Sequence, residues 1–165
     1  MSKPRYKWWG YIKWVIRDYP RLKREYENLH EQSVTAKYSG MPTGGGSYRG
    51  TEETALLELK HPEQKDYEAV KKTIEITKLM ATGKERIKLI ELAYWNRWQK
   101  LTLAGIAKKL NISETTAQRY NKEFIYLVAW KHGRITEEEY LERTKNTCHV
   151  AEKYGLIGGM KHDSL

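Results

Sequence analysis

The chain has 165 residues, of which 39% are hydrophobic and 31% charged, and 30 Lys and Arg against 21 Asp and Glu leave it at +9. That length suits one domain, or a small domain with helical extensions, and the charge favours a polyanionic partner, nucleic acid before an anionic membrane. Cys148 is the only cysteine, which excludes an intrachain disulfide and a cysteine-based zinc cluster.

Residues 1–26 carry eight Lys and Arg against Asp18 and Glu25, a net of +6. Trp8, Ile12, Val15, Tyr19, Leu22, Tyr26 and Leu29 recur in steps of four and three, which predicts one apolar stripe on a helix. Lys13, Arg17, Arg21 and Arg24 fall away from it. Such a stripe buries against another helix, in the same chain or in a second copy, so a homo-oligomer is one reading. Pro20 predicts a kink near Tyr19, or a second helix starting with Asp18 as its cap.

The stretch 33–50, SVTAKYSGMPTGGGSYRG, reads as a linker, because its Gly, Ser, Thr and Pro content sustains no packed element. It holds Gly45 and Gly50 at phosphate-loop spacing, but the lysine that would neutralise a phosphate is absent. Thr51 can cap a short helix reaching Leu59, and His61-Pro62 is read as its end. A longer helix is predicted from Glu63 to Met80, with Tyr67, Val70, Ile74, Ile76, Leu79 and Met80 on a broad apolar face. Ala81-Thr82-Gly83 is a break, after which a helix over 84–95 points Ile87, Ile90 (or Leu89) and Tyr94 inward.

The stretch 100–130, KLTLAGIAKKLNISETTAQRYNKEFIYLVAW, predicts two helices joined by a tight turn. Thr102 caps the first, in which Ile106, Ala107 and Leu110 face inward. Asn111 takes the turn, where asparagine tolerates the left-handed conformation that glycine usually supplies. Ser113 caps the second helix, and Ala117, Tyr120 (or Asn121), Phe124 and Leu127 face the core. Its other face shows Glu114, Thr115, Gln118, Arg119 and Lys122. A DNA major groove, about 12 Å wide, accepts one α-helix whose first turns reach base edges. Gln118 suits adenine, Arg119 guanine and Glu114 the cytosine amino group, with Thr115 beside them as a further base contact. Arg97, Lys100, Thr102, Lys108, Lys109, Ser113 and Lys122 are the expected phosphate contacts. Thr136 with Glu139 forms a capping box that starts a last helix, fading near Gly155.

The expected fold is therefore all-α: a C-terminal helix-turn-helix preceded by a long basic aromatic helix, a Gly-rich linker and middle helices. Its divisions are a basic helix or kinked helix pair (1–32), the linker (33–50), middle helices (51–82), a helix-turn-helix DNA-binding domain (83–133) and a C-terminal helix with a frayed tail (134–165). No stretch approaches the ~20 apolar residues that span a bilayer, and no signal peptide follows the basic start. The expectation is a cytoplasmic protein with no membrane partner. The five histidines show no metal-ligand spacing, and no paired carboxylates or Ser/His/Asp set points to an enzyme, so no metal, cofactor or catalytic residue is expected.

Ala93-Tyr94-Trp95, then Leu101-Thr102-Leu103 with Ile106-Ala107 and Leu110, then Ser113, Thr116-Ala117 and Arg119-Tyr120, resemble the RinA/ArpU family of phage transcriptional regulators. The resemblance covers residues 6 to about 132, and the C-terminal half looks like region four of sigma factors. It implies a sequence-specific double-stranded DNA-binding activator of phage or prophage late genes, acting with host RNA polymerase in a bacterial cytoplasm. Gly105 departs from that pattern, where a glutamate is often found, and removes a capping-box partner of Thr102. The alternative is a small terminase-like DNA-recognition or packaging subunit, which would also join such a unit to oligomerising helices.

Overall fold

The computed structural model describes residues 6–38, 61–96 and 101–144. These are helical throughout, joined by turns, and no strand occurs among them, so the chain is all-α. The predicted helix over 51–59 and the last helix's predicted fading near Gly155 lie outside the described residues. Among the described residues there are six α-helices: α1 (Lys7–Tyr38), α2 (His61–Lys78), α3 (Gly83–Ile90), α4 (Leu103–Leu110), α5 (Glu114–Lys131) and α6 (Glu137–Thr144). The chain divides into two compact units, Met1–Lys72 and Thr73–Leu165.

In the first unit, α1 buries Ile12, Val15, Ile16, Tyr19 and Leu22. This is the predicted stripe, with Ile16 added because it lies one turn beyond Ile12. Its aromatic residues meet the same chain: Tyr19 stacks on Tyr67 of α2 with ring centroids 5.6 Å apart, and Tyr26 stacks on Tyr67 at 4.7 Å. Tyr11 adds a hydrogen bond from its hydroxyl to Oδ1 of the buried Asp66, at 2.8 Å.

One helix runs through Pro20, rather than a second one starting at Asp18. Proline inside a helix costs ~3 kcal/mol. Burying Ile12, Val15, Ile16 and Leu22 returns ~1.5–3 kcal/mol each, which is larger. Asp18 is not a cap; its carboxylate receives Arg21 Nη2 at 2.6 Å. Arg21 also reaches Glu25 at 2.8 Å and Glu63 at 3.3 Å. Hydrogen bonds to Asp18, then to Glu25, hold its guanidinium above arginine's ordinary range. Arg21 is 37% exposed, so solvent screens this network and it contributes modestly.

Boundaries of the first two helices differ from the sequence reading: α2 ends at Lys78 rather than Met80, so Leu79, expected on its apolar face, is exposed. The helix α1 continues to Tyr38, into the stretch read as a linker, because no glycine interrupts 33–38. His61-Pro62 lies in the first turn of α2, two residues before the expected start at Glu63: proline is favoured there, where its missing N–H has no intrahelical partner, and the end of the predicted helix over 51–59 lies outside the described residues.

The second unit is centred on α5, which packs against α3, α4 and α6. Its residues 123–129 are all buried, Ile125, Val128 and Ala129 completely. Leu89 and Ile90 of α3, Ile106 and Ala107 of α4, and Tyr140 of α6 complete this core. Trp130 of α5 and Tyr140 of α6 stack with centroids 4.9 Å apart. The capping box at α6 is reciprocal, with Thr136 N donating to Glu139 Oε2 and Glu139 N to Thr136 Oγ1, each at 3.2 Å.

The turn before α3 requires glycine. A Cβ on Gly83 would lie 2.4 Å from the carbonyl oxygen of Thr77 and 2.8 Å from that of Lys78. Backbone cannot yield there as a flexible side chain could. After Ile90 the helix widens into one π-helical turn, Glu91–Trp95, and Asn96 then turns to extended backbone at φ −77°, ψ 106°.

Candidate functional site

The α4–α5 corner is built from local rules. Thr102 takes extended backbone and its Oγ1 accepts from Gly105 N at 3.2 Å. Gly105 thus still provides the backbone half of a cap, without the side chain that would answer it. A Cβ at this position would meet Thr102 Oγ1 at 3.4 Å, an ordinary contact. Asn111 closes α4 in the left-handed conformation, φ 56° and ψ 41°. Its N–H donates to Lys108 O at 3.2 Å, and Ile112 N donates to Ala107 O at 3.0 Å. Carbonyls at the end of α4 are thereby satisfied inside the turn. Ser113 Oγ accepts from Thr116 N at 3.1 Å and contacts Thr116 Oγ1 at 2.8 Å.

On the outer face of α5, Glu114, Thr115, Arg119 and Lys122 are exposed and Gln118 is half-buried. Gln118 Nε2 donates to Glu114 Oε1 at 3.1 Å, one turn apart. Lys122 Nζ lies 5.7 Å from the centre of the Tyr126 ring. Lys108 and Lys109 are exposed in the last turn of α4. The corner therefore brings Glu114, Thr115, Gln118, Arg119 and Lys122 onto one helix. Thr102 and Ser113 serve as caps: Thr102 Oγ1 accepts from a backbone N–H, and Ser113 Oγ accepts from one and donates to Thr116 Oγ1. Arg97 and Lys100 lie outside the described residues.

Inward, Ala117, Tyr120, Phe124 and Leu127 are buried as the spacing predicts. Asn121, the alternative to Tyr120, is half-buried, and its Oδ1 accepts from the Tyr94 hydroxyl at 2.8 Å. This bond ties the π-helical turn to α5.

The residues that sequence reading passes over are Arg86 and Glu123. Their side chains are only 11% and 8% exposed, and Arg86 Nη1 pairs directly with Glu123 Oε2. Arg86 also donates from Nε to Thr82 Oγ1 at 3.1 Å, and its guanidinium lies 4.1 Å over the Tyr120 ring. The other carboxylate oxygen, Glu123 Oε1, is 3.9 Å from Arg119 Nε. It accepts no hydrogen bond. A buried carboxylate is thus flanked by two arginines, one inside and one at the surface. Position 123 follows Tyr120 by three, so helical spacing alone marks it as an inward acid. Its partner, 37 residues earlier, carries no such signal.

Thr77, Met80, Arg86, Tyr120, Glu123, Phe124, Leu127 and Tyr140 surround a cavity of about 10 Å³, room for one water and for no larger ligand. No group of three or more His, Cys, Asp or Glu placed to hold a metal ion occurs among the described residues. No described helix is long and apolar enough to cross a membrane. Comparison of the chain with protein-family models, curated proteins and solved structures finds no match.

Proposed function

We propose that the chain is a sequence-specific double-stranded DNA-binding protein whose α4–α5 corner is a helix-turn-helix, with α5 as the recognition helix. The observation that carries this reading is the outer face of α5. Glu114, Thr115, Gln118 and Arg119 lie within its first two turns, next to a left-handed Asn111 turn between two capped helices. Those turns are the part of a recognition helix that reaches base edges, and these side chains carry the donors and acceptors that bases need. Positive charge supports it, since residues 96–124 hold six basic and two acidic side chains, suiting a phosphate backbone.

The role is transcriptional regulation, as an activator of phage or prophage late genes with host RNA polymerase. It rests on the resemblance of residues 6 to about 132 to the RinA/ArpU regulators. A ring-forming packaging subunit has less support. The stripe that would assemble it is turned inward, with Tyr19 and Tyr26 stacked on Tyr67 of the same chain.

The test is duplex selection from a randomised library with the full chain, followed by Gln118→Ala with Arg119→Ala. Each lost base contact is expected to cost about 1–3 kcal/mol of preference for the selected duplex. Unchanged preference in the double variant would place recognition on another helix. A wild-type chain that enriches no sequence would overturn sequence-specific binding.

A further inference from the structure

We infer that Glu123 is a positioning residue for recognition: it holds Arg119 by Nε, leaving the terminal nitrogens of the guanidinium to meet a guanine edge. This rests on the DNA-binding reading and adds a named orientation to it. Three observations carry it. Glu123 is buried, its Oε2 is committed to Arg86, and its Oε1 accepts no hydrogen bond while lying 3.9 Å from Arg119 Nε. Arg119 itself is 46% exposed, so part of its side chain faces solvent while Nε lies near the buried carboxylate. No hydrogen bond engages Nη1 or Nη2 among the described residues. The guanidinium of Arg119 also lies 5.6 Å from the Tyr120 ring, which limits its swing.

Guanine presents O6 and N7 side by side in the major groove, and two parallel N–H groups of one arginine match them. With Nε the guanidinium nitrogen nearest Glu123, the matching pair is Nη1 and Nη2, an end-on approach. Lysine would supply the charge without the fork. The pairing also orders the side chain before DNA arrives, so less conformational freedom is lost on binding. Arg86 is what permits this arrangement. It neutralises the buried carboxylate from within, so Arg119 is needed as a partner but not as the sole counter-charge.

The experiment is a double-mutant cycle on the full chain, using the duplex enriched from a randomised library and the same duplex with each guanine replaced in turn. Wild type, Glu123→Gln, Arg119→Ala and the double variant are compared by fluorescence anisotropy. Glu123→Gln is expected to lower the preference for one guanine on the order of tenfold, and to lower it no further in the Arg119→Ala background. Equal weakening on every duplex, or the same loss without Arg119, would overturn the inference while leaving DNA binding intact. Absence of any enriched sequence would overturn both. Because Glu123→Gln also disturbs Arg86, ¹⁵Nε relaxation of wild-type Arg119 gives a reading that needs no variant. A rigid Nε–Hε supports the tether, and free rotation rejects it.

Discussion

Asn111 and Gly83 both sit at helix boundaries, yet they are needed for opposite reasons. Asn111 holds φ 56°, so the backbone itself disfavours a side chain branched at Cβ. Asn111→Gly is expected to be neutral or slightly stabilising, and Asn111→Val to lower stability by at least ~1 kcal/mol. Thermal melts followed by circular dichroism distinguish the two. Gly83 needs no unusual torsion; it is fixed by the backbone carbonyls that crowd its Cβ position. A turn of the first kind is legible in sequence, because L-N-I-S places asparagine between an apolar residue and a cap. The second kind is not, because the crowding belongs to atoms of the preceding helix. Arg86 and Glu123 show the same limit. Arg86→Met is expected to cost about 3–5 kcal/mol, since it leaves the buried carboxylate without its close partner. Arg86→Met with Glu123→Leu is expected to recover most of that in urea titrations. A double variant no more stable than Arg86→Met alone would show that packing, not charge, sets the loss.

Helices were readable wherever their ends are decided locally. Thr102, Ser113 and Thr136 each take a hydrogen bond from a backbone N–H three residues on, and such caps need nothing beyond four consecutive residues. Pro20 was misleading for the complementary reason. Its local effect is to break α1, but the stripe on either side is buried, and packing decides. The proline therefore remains a standing cost, and Pro20→Ala is expected to raise stability by about 1–3 kcal/mol. A melting temperature unchanged or lowered would mean that Pro20 carries no net cost in α1. The arginine network one residue on is expected to be insensitive to ordinary base. A raised guanidinium value stabilises at every pH below arginine's ordinary range and is lost only above it.

At the scale of the whole molecule, charge is the property that sequence states outright. The chain is at +9, and residues 96–124 hold six basic side chains. If the five expected phosphate contacts among them, Arg97, Lys100, Lys108, Lys109 and Lys122, each neutralised one phosphate, log Kobs against log salt would fall with a slope of about −4.5. Lys108→Ala with Lys109→Ala is expected to flatten it by about 2 while leaving sequence preference unchanged. Loss of preference in that variant would mean that these lysines read bases. The position of α5 at the centre of the second unit was less legible. Its seven consecutive buried residues, 123–129, lack a polar stripe to mark one face, so only the first half of the helix reads as amphipathic. That first half is the candidate interface, and its polar face was easier to read than the core beneath it.

The shared carboxylate of Glu123 also bears on how such a protein could diverge. A change at Arg119 alters the surface and also withdraws a second, more distant counter-charge from a buried acid that Arg86 pairs closely, so new specificity there comes with a small folding penalty. Among the described residues Glu114 and Gln118 pair only with each other, and Thr115 is exposed. Drift toward new target sites is therefore expected to run first through positions 114, 115 and 118. Arginine at 119 should yield only after position 123 has changed, an order that selection for altered targets from a library randomised at all five positions would expose.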